Sequence, residues 1–62
     1  MTIDEALNKG ASLLVYEQTP RHIAELLICH VLGKGKEWVI AHGDKELPLE
    51  DLIKFEEFIM SL

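Results

Sequence analysis

One stretch constrains the fold more than any other: Thr19-Pro20-Arg21-His22-Ile23-Ala24-Glu25-Leu26-Leu27-Ile28-Cys29-His30-Val31-Leu32-Gly33. It reads as a complete helix with its punctuation. Thr19 suits the N-cap. Pro20 falls where a missing N–H costs nothing, and Gly33 suits the left-handed position just past the end. Between these marks the apolar residues go almost all the way round, leaving only Arg21, His22 and Glu25 as a wet strip near the start. A helix apolar on every side has to be surrounded by others. The stretch therefore predicts a helical bundle with this segment at its middle and Ile23, Leu26, Leu27 and Val31 buried there. They should meet Leu7 and Leu14 before them and Phe55 or Ile59 after them.

The flanking sequence supplies three more helices and no strand. Thr2 and Glu5 have the spacing of a capping box, in which each satisfies a free N–H near the other. Ile3, Ala6, Leu7, Ala11, Leu13 and Leu14 then fall on a stripe about 160° wide at 100° per residue. Glu5 and Lys9 have the spacing of an exposed ion pair. Gly10 sits inside the stripe and costs roughly 1 kcal/mol relative to alanine, a cost that suits close approach by another helix. After Gly33-Lys34-Gly35-Lys36, a basic link, Glu37 to His42 reads as a short helix closed by Gly43, with Asp44 to Leu47 as a polar loop. Trp, Val and Ile favour strand here, but a lone strand has no partner. Pro48 opens the last helix. The expected architecture is all-α, a small bundle of four helices at about 3–17, 20–32, 36–42 and 49–62.

The last helix is unusual. Its apolar residues from Leu49 to Leu62 cover an arc of about 220°, where a helix on the surface of a small bundle needs little more than 100°. Phe55, Phe58 and Leu62 are the expected contributors to an open surface. No helix stop signal precedes Leu62, so the helix is expected to continue or to pack against something outside the chain.

Sixty-two residues make at most one domain, and a core of this size supplies only about 3–5 kcal/mol. An apolar fraction of 48% is ample for folding and argues against disorder. No run approaches the ~18 apolar residues of a membrane span, and no export signal opens the chain. Cys29 is the only cysteine, which suits a reducing cytoplasm. The net charge of −5, from eleven acidic and six basic side chains, opposes direct binding to a phosphate backbone. A protein partner is the better expectation.

Chemistry-bearing residues are few. His22 and His30 lie about 12 Å apart along one helix and about 80° apart around it, unsuited to a shared metal. No C-x₂-C or H-x₃-H pair seeds a tetrahedral site. Cys29, in an apolar helix, reads as a structural cysteine, because apolar surroundings raise a thiol's pKa. His30 reads as a core histidine bonded to a backbone carbonyl, and His42 as a cap on a helix end. Gly33 to Lys36 lacks the spacing and hydroxyl of a phosphate loop. The carboxylates lie on solvated faces, so no acid–base pair is expected. Lys34, Lys36 and Lys45 form an island of positive charge on an acidic domain, beside the only tryptophan, Trp38. Lys34, Lys36 and Trp38 are the candidate partner-binding residues. No catalytic, cofactor-binding or metal-binding residue is expected.

The pattern Pro20-Arg21-x-x-Ala24-Glu25-x-Leu27-x-x-His30-Val31-x-Gly33-x-x-Lys36, continued by Ile40-Ala41-x-Gly43, resembles the N-terminal domain of the HemK/PrmC family. The resemblance begins near Thr2-Ile3 and reaches the last helix; Pro48 departs from the hydroxyl cap more common there. Members of that family are glutamine-N5 methyltransferases that modify peptide-chain release factors. The resemblance implies that residues 1–62 form a helical substrate-recruitment domain without catalytic function. It implies a separate catalytic domain that binds S-adenosylmethionine and methylates the Gln of a Gly-Gly-Gln loop. The family's Asn-Pro-Pro-Tyr motif and its glycine-rich cofactor loop do not occur in this chain. The implied partners are the release factor and the protein's own catalytic domain. A free-standing helical interaction module, dimeric through its last helix, is the alternative. A helix-turn-helix DNA binder is weaker still, because Glu37 to His42 would be its recognition helix and contains no Arg.

Overall fold

The computed structural model describes residues 1–14 and 17–61. Four helices follow one another: α1 (Ile3–Leu13), α2 (Pro20–Leu32), α3 (Lys36–Ala41) and α4 (Leu49–Met60). Helix α2 packs against all three others, and α1 also packs against α4. Among the described residues, extended pairing is limited to one isolated bridge between Thr2 and Glu46. The all-α bundle is as expected, with α2 in the middle.

The start of α1 shows why it begins where it does. A helix leaves its first N–H groups without partners, and here each has one. The Ile3 N–H donates to the Lys45 carbonyl at 3.0 Å, and the Asp4 N–H to the Gly43 carbonyl at 2.9 Å. The Glu5 N–H donates to the Thr2 hydroxyl at 3.2 Å, while the Thr2 N–H donates to the Glu5 carboxylate at 2.8 Å. That last bond holds the Glu5 carboxyl below its ordinary range. The capping box is therefore present, and the α3–α4 loop completes it. The Leu47 N–H adds a bond to the Met1 carbonyl, 2.9 Å.

Helix α1 is shorter than expected. Leu14 is its C-cap, and the Glu17 N–H closes a turn back to the Leu14 carbonyl at 3.0 Å. Leu14 is 5% exposed, so the chain turns as it delivers this side chain to the core. Residues 15 and 16, within the expected helix, lie outside the described residues, as does Leu62. The expected pair of Glu5 with Lys9 does not form. Glu5 is taken by the capping box, and Lys9 bonds Glu56 on α4 at 3.0 Å.

Helix α2 starts after Thr19 with Pro20 in its first turn, but the Thr19 side chain makes no cap bond. Arg21 and His22, whose N–H groups a cap would serve, are exposed. The helix ends on Gly33 at φ 67°, the left-handed conformation expected of it. Its N–H donates to the Cys29 carbonyl at 2.9 Å. Helix α4 begins after Pro48, which takes the N-cap position itself.

The buried face of α2 corrects the sequence reading. Ala24 and Ile28 are fully buried, whereas Ile23, Leu27 and Val31 are only partly so, and Leu26 is 53% exposed. Residues four apart share a helix face, so Ala24 and Ile28 look inward together while Leu26 looks out on the opposite side. Leu7, Leu14, Phe55 and Ile59 are buried as expected, and Ile23, Leu27 and Val31, but not Leu26, pack against the core cluster to which those four belong. His30, expected in the core, is exposed and sits edge-on to the Phe58 ring, with centroids 5.4 Å apart.

Helix α1 meets α4 at Gly10. A Cβ added there would lie 2.7 Å from the Phe55 ring and 2.9 Å from the Ile59 side chain. Phe55 is 1% exposed and belongs to the buried core, so its ring could yield only by disturbing that packing. The sequence reading of Gly10 as a site of close approach is what the structure shows.

The inward face of α2 makes a direct test. Ile28→Ala is expected to cost about 2–5 kcal/mol in chemical denaturation, whereas Leu26→Ala, at an exposed site, is expected to stay within about 0.5 kcal/mol.

Candidate functional site

The short link after α2 carries the candidate residues, and its geometry follows from its glycines. Gly33 turns the chain out of α2 and Gly35 caps α3, so Lys34 stands exposed between two helices. Trp38, one turn into α3, is half-buried against the core. Its indole stacks on the His42 imidazole, with centroids 4.2 Å apart and planes 20° apart.

His42 is fixed by a second contact. Its Nδ1 lies 2.8 Å from the Trp38 carbonyl oxygen, which also receives the His42 backbone N–H at 3.0 Å. A carbonyl only accepts, so Nδ1 carries a proton and Nε2 is the ring's other polar atom. The sequence reading of His42 as a cap describes this bond, but the stack on Trp38 was not foreseen. The signal was there in the spacing, since residues four apart on a helix are neighbours.

Two ammonium groups converge on the same indole. Lys34 Nζ lies 5.4 Å from the ring centroid and Lys45 Nζ 5.6 Å, both within the range of a cation–π contact. Neither lysine forms an ion pair among the described residues. Lys36 is placed differently. Its Nζ faces the half-buried Glu25 carboxylate of α2 at 3.8 Å, and Arg21 approaches the same carboxylate at 3.8 Å. The structure thus brings Lys34 and Trp38 together, adds Lys45 and His42, and turns Lys36 toward α2.

The remaining candidates are dispersed. Cys29 is half-buried, and burial raises its thiol above the ordinary range, with Glu25 adding to the effect and Lys36 opposing it. Among the described residues no three His, Cys, Asp or Glu side chains gather in a way that would hold a metal ion. No described helix is long and apolar enough to cross a membrane. Helix α4 leaves an outward stripe of Leu49, Ile53 and Met60, which are 71%, 49% and 78% exposed. A shallow groove there is lined by Ile53, Glu56, Glu57, Met60 and Ser61. Of the expected contributors to an open surface, Phe58 is exposed at 37%, Phe55 is instead buried at 1%, and Leu62 lies outside the described residues.

The sequence profile of the PrmC N-terminal domain matches residues 5–62, nearly the whole chain. The chain belongs to that family. Membership associates it with the PrmC methyltransferases. Comparison with curated proteins and with solved structures gives no match. The family therefore rests on the sequence pattern, and the helices that carry that pattern are the ones just described.

Within this family member, Cys29 offers a simple check on the packing of α2. The thiolate is the reacting form, and burial disfavours it. Disulfide exchange with a chromogenic reagent at mildly alkaline pH is expected to be slow in the native protein and to accelerate on denaturation. Equal rates in both states would mean that the α2 face around Cys29 is open.

Proposed function

We propose that this domain is the N-terminal substrate-engaging module of a methyltransferase that modifies the glutamine of the Gly-Gly-Gln loop of peptide-chain release factors. The methyl donor in this reading is S-adenosylmethionine, bound by a separate catalytic domain. The match to the PrmC N-terminal domain over residues 5–62 supports it most. The domain's own contribution is then geometric. Holding a large substrate by a second surface raises the effective concentration of its loop at the catalytic domain, into the millimolar range for a short tether. It adds no chemical group to the reaction. The face carrying Lys34 and Trp38 is the proposed contact, with Lys36 at its edge, and the cytoplasm is the proposed compartment.

The outward stripe of Leu49, Ile53 and Met60 favours a second reading, in which the domain works through association at α4. In the methyltransferase reading this same stripe faces the catalytic domain.

The test compares the full-length enzyme with a form lacking residues 1–62, on intact release factor and on a short Gly-Gly-Gln peptide. Removing the domain is expected to lower the rate on the intact factor by about tenfold or more, as lost effective concentration requires, and to leave the peptide rate nearly unchanged. Equal losses on both substrates would contradict a recruiting role.

A further inference from the structure

We propose that the surface formed by Lys34, Trp38, His42 and Lys45 docks a carboxylate-rich segment of a protein partner. This names the chemistry of the contact for the role proposed above and rests on that reading only for the partner's identity.

The four residues come from three places in the chain: the α2–α3 link, α3 with its cap, and the α3–α4 loop. Each is anchored: the Lys34 N–H donates to the Cys29 carbonyl at the end of α2, 3.2 Å. Trp38 packs on the core. His42 is pinned by its stack and by the Trp38 carbonyl. The backbone of Lys45 is anchored by its carbonyl bond from Ile3 and by its own N–H to the His42 carbonyl, 3.0 Å. Two lysines directed at one ring on such a frame lose less freedom on binding than lysines on a flexible tail.

The charge pattern selects the ligand. Lys34 and Lys45 have no acidic partner among the described residues, on a domain whose net charge is −5. Their exposed sequence neighbours include Glu37 and Asp44. A continuous polyanion such as RNA would run its phosphates over these acids and over the acidic remainder of the domain. Discrete carboxylates can instead be placed at the lysines. Base stacking is also hindered, because one face of Trp38 is already covered by His42. A short acidic stretch of protein meets none of these obstacles. Its carboxylates reach Lys34 and Lys45, while its stems lie against the indole edge.

Trp38 is the only tryptophan in the chain, so its fluorescence reports this surface alone. The experiment titrates the 62-residue chain with a capped peptide of alternating Glu and Gly. A saturable change in Trp38 emission is expected, weakened by added salt. The double variant Lys34→Glu with Lys45→Glu is expected to lose about tenfold or more in affinity, whereas Lys54→Gln, at an exposed position on α4, should retain it. Should the charge reversals disturb folding, seen by circular dichroism, Lys34→Gln with Lys45→Gln gives the same comparison. No change in emission, or an equal loss from Lys54→Gln, would overturn the proposal. Tighter binding of an oligouridylate to the same residues would overturn it in favour of nucleic acid. The release-factor reading fails separately, through the rates of the enzyme lacking residues 1–62.

Discussion

The contact of Gly10 with the Phe55 ring sets how closely α1 and α4 can pack beside the central α2. Helix α1 and helix α4 can lie this close only because position 10 has no side chain. A glycine inside a helix costs about 1 kcal/mol relative to alanine. Fully burying a large apolar side chain returns about 1.5–3 kcal/mol, and Phe55 is buried to 1% exposure. The exchange favours the glycine. It also explains why α1 persists despite a poor helix former in its middle: it is held by packing more than by propensity.

The candidate surface is built in two steps. The α3–α4 loop, which leads into α4, lies over the start of α1, where the Gly43 and Lys45 carbonyls accept the Asp4 and Ile3 N–H groups. The same loop then carries the Lys45 side chain to Trp38, and the Gly33 turn brings Lys34 to the same ring. Capping of one helix and assembly of a basic aromatic surface are thus a single arrangement of backbone.

Much of this was legible in the sequence where local chemistry decides. The Thr2–Glu5 box, Pro20 in the first turn of α2, the left-handed Gly33 and the close approach at Gly10 are all local signals, and each is seen. The misreadings share one cause. The sequence puts Leu26 and His30 in the core because a helix apolar all round offers no inside or outside by itself. Ala24 and Ile28 take the inward position because of where α1, α3 and α4 come to rest, which periodicity does not encode. Sequence proximity groups Lys36 with Lys34, whereas its place at the start of α3 sets it against Glu25. The stack of His42 on Trp38 shows only when an i,i+4 aromatic pair at a helix end is read as a contact.

The most direct measurement is a double-mutant cycle on the α1–α4 contact, with stability read by chemical denaturation. Gly10→Ala is introduced into the native sequence and into Phe55→Leu. In the native background the added methyl meets the ring, and the overpacking cost of about 1–3 kcal/mol should outweigh the gain in helix propensity. With leucine at position 55 that cost should fall by about 1 kcal/mol or more, as expected for residues in contact. Costs that agree within about 0.3 kcal/mol in the two backgrounds would show the sites to be independent and would contradict the close packing of α1 on α4 at Gly10.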